Sequence, residues 1–122
     1  MMKYSPINVN EKFSKFADQW SPKIVAQMNE YHIKLAKIEG DFIWHSHVGT
    51  DETFFVVEGE MRIDFRDGCV HLKKGDLFVV PKGTEHKPFS EKECFVLLIE
   101  PAGVRNTGDV LNEKTAPDDF WI

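Results

Sequence analysis

Short strand-like segments follow one another along most of the chain and leave few folds open to it. Met61, Ile63 and Phe65 alternate with polar residues, as expected for a strand with one buried face. Turn signals at residues 67–68 and 74–76 separate such segments, at intervals of roughly 8–12 residues. This spacing predicts an all-β sandwich or barrel.

One segment, residues 94–99, is apolar at both its odd and its even positions. A strand in a sheet with one face in water would alternate apolar and polar residues. Something must therefore cover the outer face of this strand. The sequence leaves three candidates open: the N-terminal segment, the C-terminal tail and a second subunit.

The N-terminal segment predicts a short helix. Three apolar residues have helical spacing: Val9, Phe13 and Phe16. Asn8, followed three residues later by Glu11, resembles a capping box, although Asn10 could cap the helix instead. The chain of 122 residues has the length of one domain. We therefore expect a single domain with three parts: a helical segment at 8–17, a barrel at about 22–101 and a tail at 102–122.

Charge and composition exclude several partners. The net charge is −5 and no basic stripe is present, so nucleic acid is not expected as a partner. A membrane partner is not expected either, because no apolar run could span a bilayer. The first six residues lack the apolar stretch of a signal peptide, and we expect a cytoplasmic location. In that reducing compartment, Cys69 and Cys94 are expected to be separate thiols.

The stretch around His45 and His47 carries the strongest chemical signal. On a strand these two side chains point to the same side, so their imidazoles can share one metal ion. Glu52 follows a break at residues 48–51, and a chain that turns back there can aim its carboxylate at the same ion. Such a group of nitrogen and oxygen ligands suits first-row transition metals. A His-x-His pair alone would more often be two surface histidines, but His86 follows a strand end and a tight turn.

These stretches together resemble the two sequence motifs of the cupin family. The residues that match the first motif are Gly40, His45, His47, Glu52 and Gly59. Those that match the second motif are Gly75, Pro81, Gly83 and His86. Two positions depart from the family pattern: one residue fewer separates Gly40 from His45, and Ser90 stands where asparagine is common. Neither position is a metal ligand in the family.

The resemblance implies a double-stranded β-helix, also called a jelly-roll barrel, with four metal ligands. The implied ligands are His45, His47, Glu52 and His86. The ion would be a divalent transition metal such as Fe, Mn, Ni, Co, Cu or Zn, and the sequence does not choose among them. The resemblance is to small single-domain cupins of the cupin_2 type, which are RmlC-like and mannose-6-phosphate isomerase-like. Related small cupins commonly form homodimers, sometimes by exchanging N-terminal strands, here residues 23–28.

Other candidate residues have simpler interpretations. His32 and His71 are expected to be ordinary strand histidines, Glu85 an exposed turn residue, and Trp44 a residue opposite the ligand face. No catalytic residue is identified. The positions expected to face inward are mainly apolar: Ile43, Phe54, Met61, Ile63, Phe65 and Phe95.

These inward positions suggest a small, partly apolar ligand in the barrel. Arg62 and Arg66 fall on the polar face of their strand, which argues against a phosphosugar isomerase. The leading hypothesis is a metal-dependent enzyme, oxygenase- or isomerase-like. The alternative is a cupin that binds or senses a small molecule without turnover. An inward acid or base near the metal would favour the enzyme.

The large apolar side chains also predict a homodimer. Residues 94–99 are apolar on both faces, and Trp20, Trp44 and Trp121 are all expected outside the ligand face. Large exposed apolar patches usually mark interfaces. The competing explanation is that the tail, ending at residues 120–122, folds back over the patch within one chain.

Overall fold

The computed structural model of the protein describes residues 4–122. Met1, Met2 and Lys3, which belong to the segment expected to lack a signal peptide, lie outside the described residues. The elements, in chain order, are α1 (Val9–Phe13), β1 (Lys23–Met28), β2 (Tyr31–Asp41), β3 (Glu52–Glu58), β4 (Glu60–Phe65), β5 (Gly68–Lys73), β6 (Leu77–Val80) and β7 (His86–Pro101).

All strand pairs are antiparallel, and β7 connects the two halves of the barrel. One half has the order β1-β2-β7-β3-β6, and in the other half β4 lies between β5 and β7. The first residues of β7 pair with β4, with His86 opposite Phe65, whereas its later residues pair with β3, with Ile99 opposite Thr53. The prediction of an all-β jelly-roll barrel with a short N-terminal helix is confirmed.

The N-terminal helix is capped as the sequence indicates but is shorter than expected. Asn8, and not Asn10, is the N-cap, and its Oδ1 accepts a hydrogen bond of 2.9 Å from the backbone N of Glu11. The helix ends at Phe13 within the predicted segment 8–17. Phe13 is buried and stacks on Phe95 of β7, with the ring centroids 4.5 Å apart.

Two apolar layers lie on opposite faces of β7. The interior layer includes Cys94, Val96 and Leu98, which are buried inside the barrel. The outer layer consists of Phe13, Val25 and Leu35, with these partly buried residues against them: Val9, Phe16, Ala26, Ile33, Val57, Phe95, Leu97 and Ile122. Helix α1 and the end of the tail therefore cover part of the outer face within one chain. The expectation that Phe95 faces inward is wrong, because α1 provides an apolar cover on the outside.

The end of the tail pairs with β1. Ile24 donates its backbone N–H to the carbonyl of Phe120 at 2.7 Å, and Ile122 donates to the carbonyl of Ile24 at 3.0 Å. The other edge of β1 pairs with β2 of the same chain. Both edges of the segment predicted for strand exchange thus have partners within the chain.

Part of the outer sheet face lies beyond the reach of α1. Leu77 and Val79 of β6 are 57% and 42% exposed. They lie directly opposite Phe55 and Thr53 of β3, so they share the outer face with the covered layer. In the predicted homodimer, a second copy of the chain would cover these exposed residues, which continue the covered outer face from β3 onto β6. The homodimer stays a prediction.

Among residues 4–122, no helix is long and apolar enough to cross a membrane. Cys69 is exposed and Cys94 buried, and both are free thiols.

We predict that the uncovered part of the sheet joins two copies of the chain. An interface of this kind should bury about 2,000 Å² or more. Leu77→Lys with Val79→Lys should convert the dimer to a monomer in sedimentation at micromolar concentration, because it places charges in an apolar contact. Leu111→Lys is the control, since Leu111 is 69% exposed on the tail. A monomeric parent protein would reject the prediction.

Candidate metal centre

Four buried side chains converge at one end of the barrel. Each of His45, His47, Glu52 and His86 offers a nitrogen or oxygen atom, and these atoms all lie within 4.8 Å of one another. All four residues are buried, with exposures of 0–6%. The structure therefore brings together the four residues predicted as ligands. That they bind a metal stays a prediction.

Backbone pairing places three of the four residues. His45 and His86 form an antiparallel bridge, in which each donates its N–H to the other's carbonyl at 3.0 and 2.9 Å. The carbonyl of His47 accepts from the N–H of Gly83 at 2.9 Å. His45 and His47 do not lie in a regular strand, yet the two-residue alternation holds, with Ser46 less buried between them. Gly83 has a φ of +76°, which explains the glycine in the turn before His86.

Glu52 is the first residue of β3 and faces the interior. It lies opposite Val80 of β6, and Phe54 and Val56 follow it on the inner face. The preceding residue, Asp51, accepts a hydrogen bond of 2.8 Å from the backbone N of Lys82, which closes the loop before β3. The turn at residues 48–51 thus directs the carboxylate of Glu52 towards the three histidines, as the sequence predicted.

Two of the histidines are held in the orientation that a metal ligand needs. Nδ1 of His45 lies 2.9 Å from the carbonyl of Ile43, and Nδ1 of His86 lies 2.9 Å from the carbonyl of Thr84. A carbonyl oxygen only accepts, so each Nδ1 must carry the proton. In the neutral ring, Nε2 then keeps its lone pair for a metal, as is usual for metal-bound histidines.

The free atoms of the cluster are otherwise unsatisfied. Nε2 of His47 and of His86 lie 3.1 and 3.4 Å from Oε1 of Glu52. These contacts lack hydrogen-bond geometry, and all three atoms are buried without a hydrogen-bond partner. Buried polar atoms are normally satisfied, so three unsatisfied ligand atoms this close together are suited to hold a cation. The donor set, three imidazoles and a carboxylate, suits a transition metal.

The environment of the cluster favours the protonation states that bind metal. Burial lowers the pKa of His45 to about 4, and the neighbouring His86 contributes to the shift. Burial opposes ionisation of Glu52, but its polar contacts with His47 and His86 outweigh this and lower its pKa. His45 is thus neutral and Glu52 ionised near neutral pH.

Glu100 is a further polar residue of the site that sequence reasoning missed. It is 1% exposed and lies on the inner face of β7 with Val96 and Leu98. Burial and the nearby Glu52 carboxylate raise its pKa well above the usual range. Its Oε1 accepts a hydrogen bond of 2.9 Å from Nζ of Lys34, which is 2% exposed.

The signal for this pair was present in the alternation of the strands. Glu100 continues the period-two series of Val96 and Leu98, and Lys34 continues that of Ala36 and Ile38. Both residues were passed over because charged strand residues are usually exposed. The structure shows that Lys34 faces inward and is 2% exposed.

A small cavity of about 40 Å³ adjoins the cluster. Most of the residues that line it are apolar. The lining consists of Trp20, Pro22, Ala36, Ile38, Phe42, His45, Glu52, Phe54, Pro88, Val96, Leu98, Glu100 and Asn106. Trp20, expected outside the ligand face, lines the cavity and stacks on Phe42 at 4.5 Å. Ile43 was expected to face inward, but its neighbour Phe42 lines the cavity instead.

The tail forms one wall beside the cluster. Gly108 lies so close to the His45 segment that a Cβ atom would meet the carbonyl oxygen of Ser46 at 2.2 Å and Cδ2 of His45 at 3.1 Å. Asp109 donates its backbone N–H to the Ser46 carbonyl at 3.0 Å, and its carboxylate accepts from the Ser46 N–H at 3.0 Å. Only a residue without a side chain fits at position 108.

The other candidates of the sequence analysis lie outside the cluster. Glu85 is exposed and pairs with Arg66 at 2.6 Å, and the Arg66 guanidinium stacks on Trp44 at 3.8 Å. His71 is exposed near Cys69. His32 is buried on β2, with its ring 5.5 Å from that of Trp121.

The sequence and the fold both match known proteins. The model of the Cupin domain family matches residues 31–100. The structure of a cupin-2 domain containing protein from Shewanella frigidimarina is 52% identical and superposes with a TM-score of 0.77. The match covers 78% of this chain and 93% of the other.

Two relatives by sequence differ in length. The uncharacterized protein YdbB of Bacillus subtilis is 36% identical over 93 residues, which cover 75% of this chain and 76% of that protein. A 3-hydroxyanthranilate 3,4-dioxygenase 2 of Aspergillus fumigatus is 29% identical over 82 residues, or 61% of this chain. The matched region is only 42% of the dioxygenase.

We predict that acid destabilises the metal-free protein through His45. Its folded pKa of about 4 lies below the unfolded value of 6.5, so protonation favours the unfolded state. The stability is complete above pH 6.5 and is lost as the pH falls towards 4. Denaturant unfolding should show that the parent loses up to about 3 kcal/mol more than His45→Gln over this range. Parallel pH profiles would contradict the prediction.

We also predict that Gly108→Ala detaches the tail from the Ser46 segment. The methyl group would overlap the Ser46 carbonyl, in addition to the strain of a φ of +57°. Hydrogen exchange of the Asp109 amide should therefore become faster. Gly103→Ala is the matched control, because Gly103 has a φ of +88° but open space around its Cβ position. Equal exchange in the two variants would refute the close contact.

Proposed function

Because the chain belongs to the cupin family, we propose that it is a metal-dependent enzyme that acts on a small, partly apolar molecule, in an oxygenase-like reaction. In this proposal His45, His47, Glu52 and His86 hold a divalent transition metal. The observation that carries it is the convergence of these four buried side chains beside an apolar cavity.

The ligand set fits Fe, Mn, Ni, Co, Cu or Zn. A bound ion would supply Lewis-acid or redox chemistry at the coordination positions that the protein leaves free. The protein's own contribution is orientation. The carbonyls of Ile43 and Thr84 fix the rings of His45 and His86 through their Nδ1 atoms.

The walls of the cavity define what the ligand meets. Phe42, Phe54 and Leu98 provide apolar surface, which keeps water from the cluster and accommodates an apolar part of the ligand. His45 and Glu52 line the same cavity, so a ligand there lies next to the proposed ion. A small-molecule ligand in the barrel is therefore part of the proposal.

Two observations support an enzyme over a cupin that only binds or senses. Glu100 is an inward acid near the cluster, which is the feature expected of an enzyme rather than of an inert pocket. The similarity to a 3-hydroxyanthranilate 3,4-dioxygenase supports the oxygenase class, although this chain spans less than half of that protein. The non-enzymatic function remains the alternative hypothesis.

A phosphosugar isomerase has less support. Such an enzyme needs a positively charged side chain that is free to hold a phosphate. Lys34 of β2 faces the interior of the barrel. Its Nζ donates hydrogen bonds to Oε1 of Glu100 at 2.9 Å and to the carbonyl of Val104 at 3.1 Å, so it is not free to bind a phosphate. The mannose-6-phosphate isomerase-like and RmlC-like subtypes, the cytoplasmic location and the homodimer all stay predictions.

The proposal predicts one metal ion per chain and its loss in a ligand variant. His47→Ala should weaken metal binding by more than about 100-fold, because loss of outer partners alone costs 10–100-fold. Elemental analysis and metal titration of the purified protein measure this. His71→Ala is the control and should keep the parent's metal content, because His71 is exposed and outside the cluster.

Folding must be monitored in the same samples. The far-UV circular dichroism of the metal-free parent and of His47→Ala should agree, which shows that the loss concerns the ion. Equal metal affinity in His47→Ala and His71→Ala would reject the site.

A further inference from the structure

Glu100 has a place in the site that the metal does not explain. It lies one residue before the end of β7, on the inner face, and is 1% exposed. It lines the same cavity as Glu52 and His45. It does not belong to the group of four converging ligand atoms. A carboxyl group in this position adjoins the space that a ligand of the ion would occupy.

Among residues 4–122, only one oxygen of this carboxyl group accepts a hydrogen bond. Oε1 accepts from Nζ of Lys34 at 2.9 Å, and Lys34 is fixed in turn by the carbonyl of Val104 at 3.1 Å. Oε2 of Glu100 is buried and has no hydrogen-bond partner. An unsatisfied buried acceptor is unfavourable, so a ligand group that donates a hydrogen bond to it is bound more tightly.

We propose that Oε2 of Glu100 accepts a hydrogen bond from a hydroxyl or amino group of the ligand, next to the ligand atom that faces the metal cluster. This inference rests on the proposed function and names the substrate class: a small molecule that carries a hydrogen-bond donor close to its metal-binding atom. Lys34 is the positioning residue, because it holds the carboxyl group in place. Glu100 is the residue that touches the ligand.

The volume of the cavity limits the ligand further. A cavity of about 150 Å³ holds benzene, whereas the one beside Glu100 measures about 40 Å³. With the tail seated as described, the ligand next to Glu100 has only a few non-hydrogen atoms. A ring-sized ligand would require displacement of the wall, which includes Asn106.

A structural explanation competes with this inference. A buried water could satisfy Oε2, and the pair of Lys34 and Glu100 would then serve the fold alone. Replacing both members of a buried ion pair by apolar residues is often neutral or stabilising. The double variant Lys34→Met with Glu100→Met can therefore fold while it removes the acceptor.

Two small probes separate the explanations. Hydrazine and methylamine have the same size, and each can bind a metal through one nitrogen. Hydrazine has a second N–H group where methylamine has a methyl group, so only hydrazine can donate to Glu100 from the atom next to its metal-binding nitrogen. Their dissociation constants are measured from the visible spectrum of the cobalt(II)-loaded protein without oxygen. The ratio of the two constants cancels differences in metal strength between variants.

The parent should favour hydrazine relative to both Glu100 variants. In Glu100→Gln the preference should fall about fivefold, because the amide oxygen keeps the hydrogen bond from Lys34 and the amide nitrogen that replaces Oε2 cannot accept one. In the double methionine variant it should vanish, while the cobalt content stays at that of the parent. An unchanged ratio in cobalt-loaded variants would overturn this inference and leave the proposed function intact. A parent that binds no cobalt, zinc or iron would overturn both.

Discussion

The pairing of β7 with β2, β3 and β4 is the constraint on which the rest of the structure depends. This one strand begins with His86, whose backbone binds that of His45, and it carries Glu100 close to its other end. Its inner face builds the barrel interior, and its outer face packs under α1. Both faces must therefore be apolar over much of its length. Two of the polar residues that it buries, His86 and Glu100, lie at the site.

The charges inside the barrel depend on one another in the same way. Glu52 and Glu100 are close enough to raise the pKa of Glu100, and the ammonium group of Lys34 partly offsets this shift. The imidazole of His45, whose pKa is lowered to about 4, adds no charge near neutral pH. A divalent cation at the four-residue cluster would add positive charge beside both carboxyl groups. The carboxylates, the lysine and the proposed ion thus form one electrostatic unit.

Much of this arrangement could be predicted from the sequence, and the failures have a common cause. His45, His47 and Glu52 form a local pattern, and the resemblance to the cupin motifs adds His86, so the four residues of the cluster could be named from the sequence. The orientation of Phe95 was not predictable in this way. It depends on what covers the outer face of the sheet, and the cover comes from α1 and the tail, which are distant in sequence. Amphipathic alternation tells the two faces of a strand apart but does not say which face is inside.

The bridge between His45 and His86 also bears on how the chain matures. The two residues are far apart in sequence, and His86 begins β7, which follows the other six described strands in chain order. Long-range pairings of this kind form late in folding. A ribosome-bound chain that still lacks β7 has an incomplete set of ligands, so it would hold free metal only weakly. If the cluster holds an ion as proposed, tight binding would have to await the docking of this single strand.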